Sequence, residues 1–318
     1  MSAEPKSQIF VGGCDRSGTT MLASMIGNHA QINCLPESHF IANLAERDVP
    51  VRELLSLIEQ HARFRLWALE LSAKDRETLN ASPDFPSLID QLATLYGVME
   101  QRPNQPIWLD HTPLNVGAFI RLAKLYPNAK FIHMVRDGRA VAASWLPQDW
   151  GPRHILTIAD TWSRRMAQGL AAEIAMPDKV VRLQYEDVVA DPHSAMRKVS
   201  DFLGIAYSDQ MLLTGGFALP AHSRKTHKML DGDGAVSKDR IDAWMHKLDR
   251  RQIELFEYRT GDLLSALGYV RTIADAKGPT PIETAFAHIA EITGRGANLL
   301  FKNKRHGFGF SLKRAGAT

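Results

Sequence analysis

A chain of 318 residues, 45% hydrophobic and 23% charged, has ordinary globular composition and the length to bury a large core. Its net charge of +3 is too mild to argue for nucleic acid, and its two cysteines, Cys14 and Cys34, offer no disulfide framework and no metal or redox spacing. No apolar run is long enough to span a bilayer and residues 1–7 lack the apolar core of a signal peptide, so the expectation is a soluble, cytoplasmic protein.

The first element is the apolar run Ile9-Phe10-Val11, read as a strand over 8–12. It enters the loop Gly12-Gly13-Cys14-Asp15-Arg16-Ser17-Gly18-Thr19-Thr20. Behind it Met21, Leu22, Met25 and Ile26 have helical spacing and predict a helix over 19–28. Strand, glycine loop and helix N-terminus together make an anion site, because the first helical N–H groups lack partners and the helix dipole favours negative charge there. Gly13 and Gly18 keep the outer spacing of a P-loop, yet Thr19 stands where that motif needs Lys. The charge comes from Arg16 instead. The cradle therefore suits a phosphate or phosphosulfate better than a Walker-type nucleotide, with a plain strand–turn–helix as the bland alternative.

From Glu46 to Arg102 the pattern is helical, with helices over 51–71 and 88–100 and a break at Ser82-Pro83-Asp84-Phe85-Pro86. This stretch, about 46–102, reads as an insertion that covers an acceptor site or packs as a structural bundle. A strand over 106–110 follows, then a helix over 114–126 with Thr112-Pro113 as its cap. A strand over 130–135 leads into Arg136-Asp137-Gly138-Arg139 and a helix over 138–146, with Asp137 placed to cap it. Two basic residues at a strand exit, with the Ser144 hydroxyl two turns on, suit a second phosphate. The alternative makes Asp137 and Arg139 a solvated pair and Ser144 a packing residue. Helices over 157–175, 192–203 (capped by Asp191 before Pro192) and 250–267 flank a strand over 179–184. Strands separated by helices predict an α/β fold. Its form is a P-loop-like three-layer sandwich, a central parallel sheet flanked by helices, plus the helical insertion. Ligands in such sheets bind beyond the C-terminal strand ends, where Arg16, Asp110, His111 and Arg136 all stand.

Residues 214–239 are rich in Gly, Lys, Arg and His and read as a basic surface loop suited to an anionic nucleotide. The last stretch carries Arg295, Lys302, Lys304, Arg305, Lys313 and Arg314 with no acidic residue after Glu291, and Ala285, Ile289, Ile292, Leu299, Leu300 and Phe301 make it partly amphipathic. A peripheral contact with anionic lipid, or with an acidic acceptor, is one reading; a solvated terminus is the other. The division is a domain over 1–270 and a basic extension over 271–318.

Gly13-Cys14-Asp15-Arg16-Ser17-Gly18-Thr19-Thr20, followed by Met134-Val135-Arg136-Asp137-Gly138-Arg139 and the helix through Ser144 and Trp145, resembles the paired cofactor motifs of sulfotransferases that use 3′-phosphoadenosine-5′-phosphosulfate (PAPS). The resemblance is closest to the branch with tyrosylprotein sulfotransferases and their bacterial relatives. It extends through Leu109 to Asn115, Leu125 to Phe131, Tyr185-Glu186-Asp187, Asp191-Pro192 and Phe202-Leu203-Gly204, over roughly residues 8 to 270. It implies sulfuryl transfer from PAPS to a hydroxyl or amine acceptor, leaving adenosine 3′,5′-bisphosphate and requiring no metal. Arg16, with Gly13, Ser17, Gly18, Thr19 and Thr20, would hold the 5′-phosphosulfate, Arg136 and Ser144 the 3′-phosphate, and Tyr185 would touch the nucleotide. Trp244 looks like the Trp that follows the family's cofactor loop. Counting back from it puts Ser237 and Lys238 near late 3′-phosphate contacts, although Lys238 alone matches the Arg-Lys-Gly of the cytosolic branch.

Proton removal needs a carboxylate or His near the transferred group. Glu37 stands where the chain returns over the phosphate loop, and its offset from Arg16 matches the family's catalytic Glu without a gap. The alternative is a carboxylate favouring a helix N-terminus beside Ser38. His111 occupies the place of the Lys that relatives use on the leaving oxygens. It is then a weaker donor, a second candidate base, or a His satisfied by the backbone. The acceptor class stays open between a small molecule, a glycan or glycolipid and a peptide, as does the oligomeric state. The rival functions are a P-loop nucleotide or small-molecule kinase and a non-catalytic nucleotide-binding regulator.

Overall fold

A computed structural model describes residues 7–148, 150–216 and 240–292. In chain order these form β1 (Ser7–Gly13), α1 (Thr19–Ile26), β2 (Ile32–Leu35), α2 (Phe40–Leu44), α3 (Val51–Gln60), α4 (Ala62–Arg65), α5 (Ala73–Asn80), α6 (Phe85–Met99), β3 (Ile107–Asp110), α7 (Phe119–Leu125) and β4 (Lys130–Val135). There follow α8 (Gly138–Trp145), α9 (Ile155–Ala175), β5 (Val180–Gln184), α10 (Tyr185–Ala190), α11 (Pro192–Leu203), α12 (Trp244–Lys247), α13 (Arg250–Ala266) and α14 (281–292). The chain divides into two compact units, Met1–Asp137 with Arg164–Asp242 and Gly138–Ser163 with Ala243–Thr318.

The first unit is built on a five-stranded sheet of order β2-β3-β1-β4-β5, parallel at every pairing. Alternation along the strands feeds two cores. Phe10, Trp108 and Phe131 point to one face, where α2–α7 pack. Ile9, Val11, Leu109, Ile132 and Met134 point to the other, against α1, α10 and α11. The central aromatics interlock, with Phe10 edge-on to Trp108 at 5.3 Å and stacked on Phe131 at 5.6 Å. This is the expected α/β sandwich with a central parallel sheet. The connection leaving β1 goes toward β2, and the one leaving β4 goes the opposite way. The switch point of the sheet therefore lies between the C-terminal ends of these two neighbours.

Local chemistry explains the element boundaries. Asp191 caps α11 as expected, accepting from the Ser194 N–H (3.1 Å), and within the stretch read as a break Asp84 caps α6, accepting from the Ser87 N–H (2.8 Å). Thr112 does not cap: its hydroxyl is bonded elsewhere, and Pro113–Gly117 is a 3-10 turn before α7. The stretch expected as one helix over 51–71 breaks at His61, which caps α4 by accepting from the Arg63 N–H (3.2 Å). β2 was not foreseen, nor was α5, whose only buried residue is Leu79. Among the described residues, no helix is long and apolar enough to cross a membrane.

In the second unit, α8 and α13 pack through Gly138, Trp162 and Phe256; a Cβ on Gly138 would lie 2.4 Å from the Phe256 ring. Arg139 is buried there. It donates to Glu257 Oε1 (2.5 Å) and the Val270 carbonyl (3.0 Å), and its guanidinium lies 4.1 Å over the Trp244 ring. It is a structural ion pair in place of a solvated pair with Asp137.

Candidate functional site

The loop after β1 adopts the shape its residues permit. Arg16 (φ 69°) and Gly18 (φ 94°) are both left-handed, and the Ser17 N–H closes a turn onto the Cys14 carbonyl (3.1 Å). A side chain at Gly18 would strike the Tyr185 ring at 2.6 Å, and one at Gly13 would strike the Met134 carbonyl oxygen at 2.4 Å. Gly18 caps α1, whose first internal bond runs from the Leu22 N–H to the Gly18 carbonyl. The N–H groups of Thr19 and Thr20 therefore have no carbonyl inside the helix. Ser17 Oγ is buried and has no hydrogen-bond partner. A buried hydroxyl of that kind belongs beside a ligand oxygen.

Arg136, at the end of β4, joins this loop. Its Nη1 donates to the Arg16 carbonyl (2.9 Å), its Nη2 to the Arg240 carbonyl (3.3 Å), and its guanidinium lies 4.0 Å over the Tyr185 ring. The Asp137 N–H donates to Glu186 Oε1 (3.1 Å), fixing the strand exit against α10. Burial first, and the neighbouring Arg136 second, lower the pKa of Arg16; burial also lowers that of Arg136. Two crowded, half-buried guanidiniums favour a polyanion between the strand ends. Gly13, Arg16, Ser17, Gly18, Thr19, Thr20, Arg136 and Tyr185 are thus brought together in the first unit. Ser144 belongs to the second unit, half-buried on α8. Ser237 and Lys238 lie outside the described residues.

A second group forms where the chain leaves β2 and β3. Asp110, fully buried, accepts from Ser38 Oγ (2.6 Å), the Thr112 N–H (3.0 Å) and Thr112 Oγ1 (2.7 Å). Thr112 Oγ1 in turn accepts from the Ser38 N–H (2.9 Å) and the His39 N–H (3.3 Å). This network ties the turn bearing Glu37 to the strand end bearing His111. Glu37 Oε2 faces His39 Nε2 at 3.5 Å and Arg63 Nη1, from α4, at 3.4 Å. Burial alone would raise the Glu37 carboxyl, but the His39 contact, His111 and Arg63 outweigh it and hold it at about 2. His111 is buried, with Nδ1 4.0 Å from Cys34 Sγ. Desolvation lowers its pKa, against the pull of Glu37 and Asp110.

Sequence reading had passed over Ser38, His39, Arg63 and Asp15 as site residues. Asp15 sits inside the loop; burial and the nearby Glu37 raise its carboxyl pKa, while Arg165 opposes them. His39 was two residues from Glu37 and could have been weighed with it. Arg63 could not, since only the packing of α4 brings it there. Among the described residues, no group of His, Cys, Asp and Glu is arranged to hold a metal ion.

Comparison with known proteins gives a consistent picture. A family model described as "Sulfotransferase family" matches residues 8–209. Protein-tyrosine sulfotransferase 1 of Danio rerio is 25% identical over 261 residues, spanning 76% of this chain and 66% of that protein. The chain thus covers just under two thirds of that relative's length. The sulfotransferase domain of the Synechococcus PCC 7002 olefin synthase matches with a TM-score of 0.59 at 19% identity, over 84% of this chain and 96% of that one. The sulfotransferase domain from the curacin biosynthetic pathway gives 0.56 at 17% identity, over 83% and 98%. At these identities the structural likeness speaks to the fold.

Proposed function

This chain belongs to the sulfotransferase family, and we propose that it moves the sulfuryl group of PAPS to a hydroxyl acceptor, with Glu37 as general base. The observation that carries the donor assignment is the joining of the two phosphate-facing elements: Arg136 donates to the Arg16 carbonyl across the switch point, beside the unpartnered hydroxyl of Ser17. PAPS supplies a sulfuryl group on a phosphate leaving group. The bond from sulfur to the phosphate oxygen breaks as the bond to the acceptor oxygen forms, and the acceptor proton passes to a base.

The residues divide that work. The N–H groups of the loop and first turn of α1, with Arg16, bind the 5′ end and stabilise charge gathering on the leaving oxygens. Arg136, held over the Tyr185 ring, takes the 3′-phosphate. With its carboxyl held at about 2, Glu37 is ionised at neutral pH, which is the form a base requires, at some cost in basicity. His111 stands where relatives place a cation and would donate a hydrogen bond there.

Calorimetry with adenosine 3′,5′-bisphosphate and with adenosine 5′-phosphate tests the donor. Tighter binding of the bisphosphate supports it, and equal affinities would remove the 3′ site. Transfer of labelled sulfate from PAPS tests the reaction. The name of the Danio rerio relative makes a peptide tyrosine the first acceptor to try.

A further inference from the structure

The helix α9 carries a charge to the site that sulfuryl transfer leaves without a task. Glu173 pins the helix to the sheet. His133 Nδ1, on β4, donates to Glu173 Oε1 (2.6 Å), and Arg182 Nε, on β5, donates to both Glu173 oxygens (3.0 Å each). Gly169 lies so close to the His133 ring that a Cβ would overlap it, and a Cβ on Gly117 would lie 3.0 Å from the Gln168 amide. α9 therefore crosses β4 at the level of His133, whose partner in the sheet is Gly12. The helix leads into β5, so it runs against the strands. Four residues back from Gly169 keeps the same helix face and moves about 6 Å toward the C-terminal strand ends. Two residues forward from Gly12 moves about 7 Å the same way. Both steps end together: Arg165 stands over Cys14 and Asp15, within the first unit, and those two are the groups whose charge it feels.

The two charges face each other across a gap. Arg165 Nη1 donates to Gln168 Oε1 (3.1 Å), and its buried Nε has no partner among the described residues. The Asp15 carboxyl meets its own N–H and feels Glu37, Arg165 and His39. Glu37 repeats the arrangement. Arg63 Nη1 stands 3.4 Å and His39 Nε2 3.5 Å from its Oε2, longer than the roughly 2.8 Å of a closed charge-assisted bond. A guanidinium only donates and a carboxylate only accepts, whereas a hydroxyl does both and so fits between them. The two gaps stand off β2 and β1, which β3 separates, about 10 Å apart at the backbone. A phenol has one hydroxyl and would leave the second gap unused. It would also want an aromatic or apolar wall, but Phe40, Phe64 and Trp67, the rings nearest Glu37 and Arg63 in sequence, are buried against one another.

We propose that Asp15 and Arg165 bind a second hydroxyl of the acceptor, which makes the acceptor a polyhydroxylated ring of the sugar or cyclitol class. One hydroxyl reacts beside Glu37. Another on the same molecule donates to the Asp15 carboxylate and accepts from Arg165. This rests on the reading of Glu37 as base, but the second pair is tested without turnover.

Calorimetry and saturation-transfer NMR on the full chain, with and without adenosine 3′,5′-bisphosphate, provide the test. The probes are methyl β-glucopyranoside, methyl β-galactopyranoside and myo-inositol, with N-acetyltyrosine amide as the phenol. At least one polyol should bind more tightly than the phenol. Arg165→Gln and Asp15→Asn should each weaken that polyol about tenfold to a hundredfold. Arg165→Gln should keep the parent's affinity for the bisphosphate. Among monodeoxy analogues of the bound polyol, one should bind the parent as weakly as the polyol binds the variants. That analogue should lose nothing more in either variant, because both changes remove one contact. A merely structural pair would instead weaken every analogue alike and lower the melting temperature, and that result overturns the proposal. Binding of the phenol with no polyol bound overturns it too. A chain that binds a polyol through this pair but no bisphosphate upholds the second hydroxyl site while the donor reading falls; one that binds the bisphosphate and no polyol does the reverse.

Discussion

The two halves of the candidate site are built differently. The half proposed to hold phosphate is assembled from contiguous strings: a loop of eight residues, Gly13 to Thr20, and a strand exit that reaches it through one arginine. The base side is assembled from fragments. Ser38 meets Asp110 across 72 positions of sequence, and Glu37 meets Arg63 of a helix that belongs to neither strand. A site made of local strings can be read from sequence and tuned residue by residue. A site made of long-range hydrogen bonds depends on the whole sheet edge, so its perturbations should reach stability as well as chemistry.

Substitutions on each side should therefore separate binding, catalysis and stability. The largest effect belongs to Glu37. Glu37→Gln keeps shape and hydrogen bonding but cannot take the acceptor's proton, so turnover should fall on the order of 10²- to 10⁴-fold. Affinity for adenosine 3′,5′-bisphosphate by calorimetry should be nearly unchanged. A variant that turns over like the parent would move the base elsewhere, with His111 next in line.

On the phosphate side the reverse pattern is expected. Arg136→Ala loses a charge-assisted contact, for which roughly 1.5–3 kcal/mol is usual, or about ten- to a hundredfold in affinity. The loss should fall on adenosine 3′,5′-bisphosphate and much less on adenosine 5′-phosphate. Equal losses would mean that Arg136 serves the carbonyls of Arg16 and Arg240 and not a 3′-phosphate.

Ser38→Ala probes the linkage beneath Glu37. It strips one donor from a buried Asp110 oxygen, which should cost about 1–3 kcal/mol of stability. The denaturation midpoint should fall and turnover with it, because the turn carrying Glu37 loosens, while nucleotide affinity holds. Loss of nucleotide affinity in step with turnover would erase the distinction between the two halves.

The same distinction explains what the sequence disclosed. Four of the five strands, most helix positions and the glycine loop after β1 were legible because each rests on a short-range signal: apolar runs, capping residues and glycines at a turn. β2 was missed because it is four residues long and includes Asn33, whose side chain is satisfied by the Ala93 carbonyl (2.8 Å) of α6, a partner no local pattern reveals. α5 was missed because one buried leucine makes no stripe; its capping box, Ser72 with Asp75, is what holds its start. His39 and Arg63 became site residues only through tertiary placement. The depressed Glu37 carboxyl is likewise a property of that packing, invisible in the string Pro36-Glu37-Ser38-His39.

The smallest expected effect tests whether the helices between β2 and β3 take part in chemistry at all. Arg63 comes from α4, and its guanidinium lies 3.4 Å from Glu37 Oε2. Against burial, which raises the Glu37 carboxyl, Arg63 is one of several groups holding it at about 2. Removing that charge in Arg63→Gln should let the carboxyl rise while His39 and His111 still pull it down. A carboxyl depressed in the fold stabilises it above the unfolded pKa, and that contribution is lost as pH falls through the folded value. In Arg63→Gln the loss should therefore be smaller in extent and complete at a higher pH. The acid limb of kcat/KM should move to higher pH for the same reason, because a greater share of Glu37 is then protonated at a given acid pH. At neutral pH the carboxylate remains ionised and slightly more basic, so turnover should change by no more than a few-fold in either direction. A pH–rate profile of parent and variant, read beside acid unfolding curves, gives both shifts. If neither moves, Arg63 is surface charge and the helices serve the fold alone. If turnover collapses at neutral pH as it does in Glu37→Gln, Arg63 binds the acceptor or the donor directly, and the base side reaches further into α4 than its hydrogen bonds reveal.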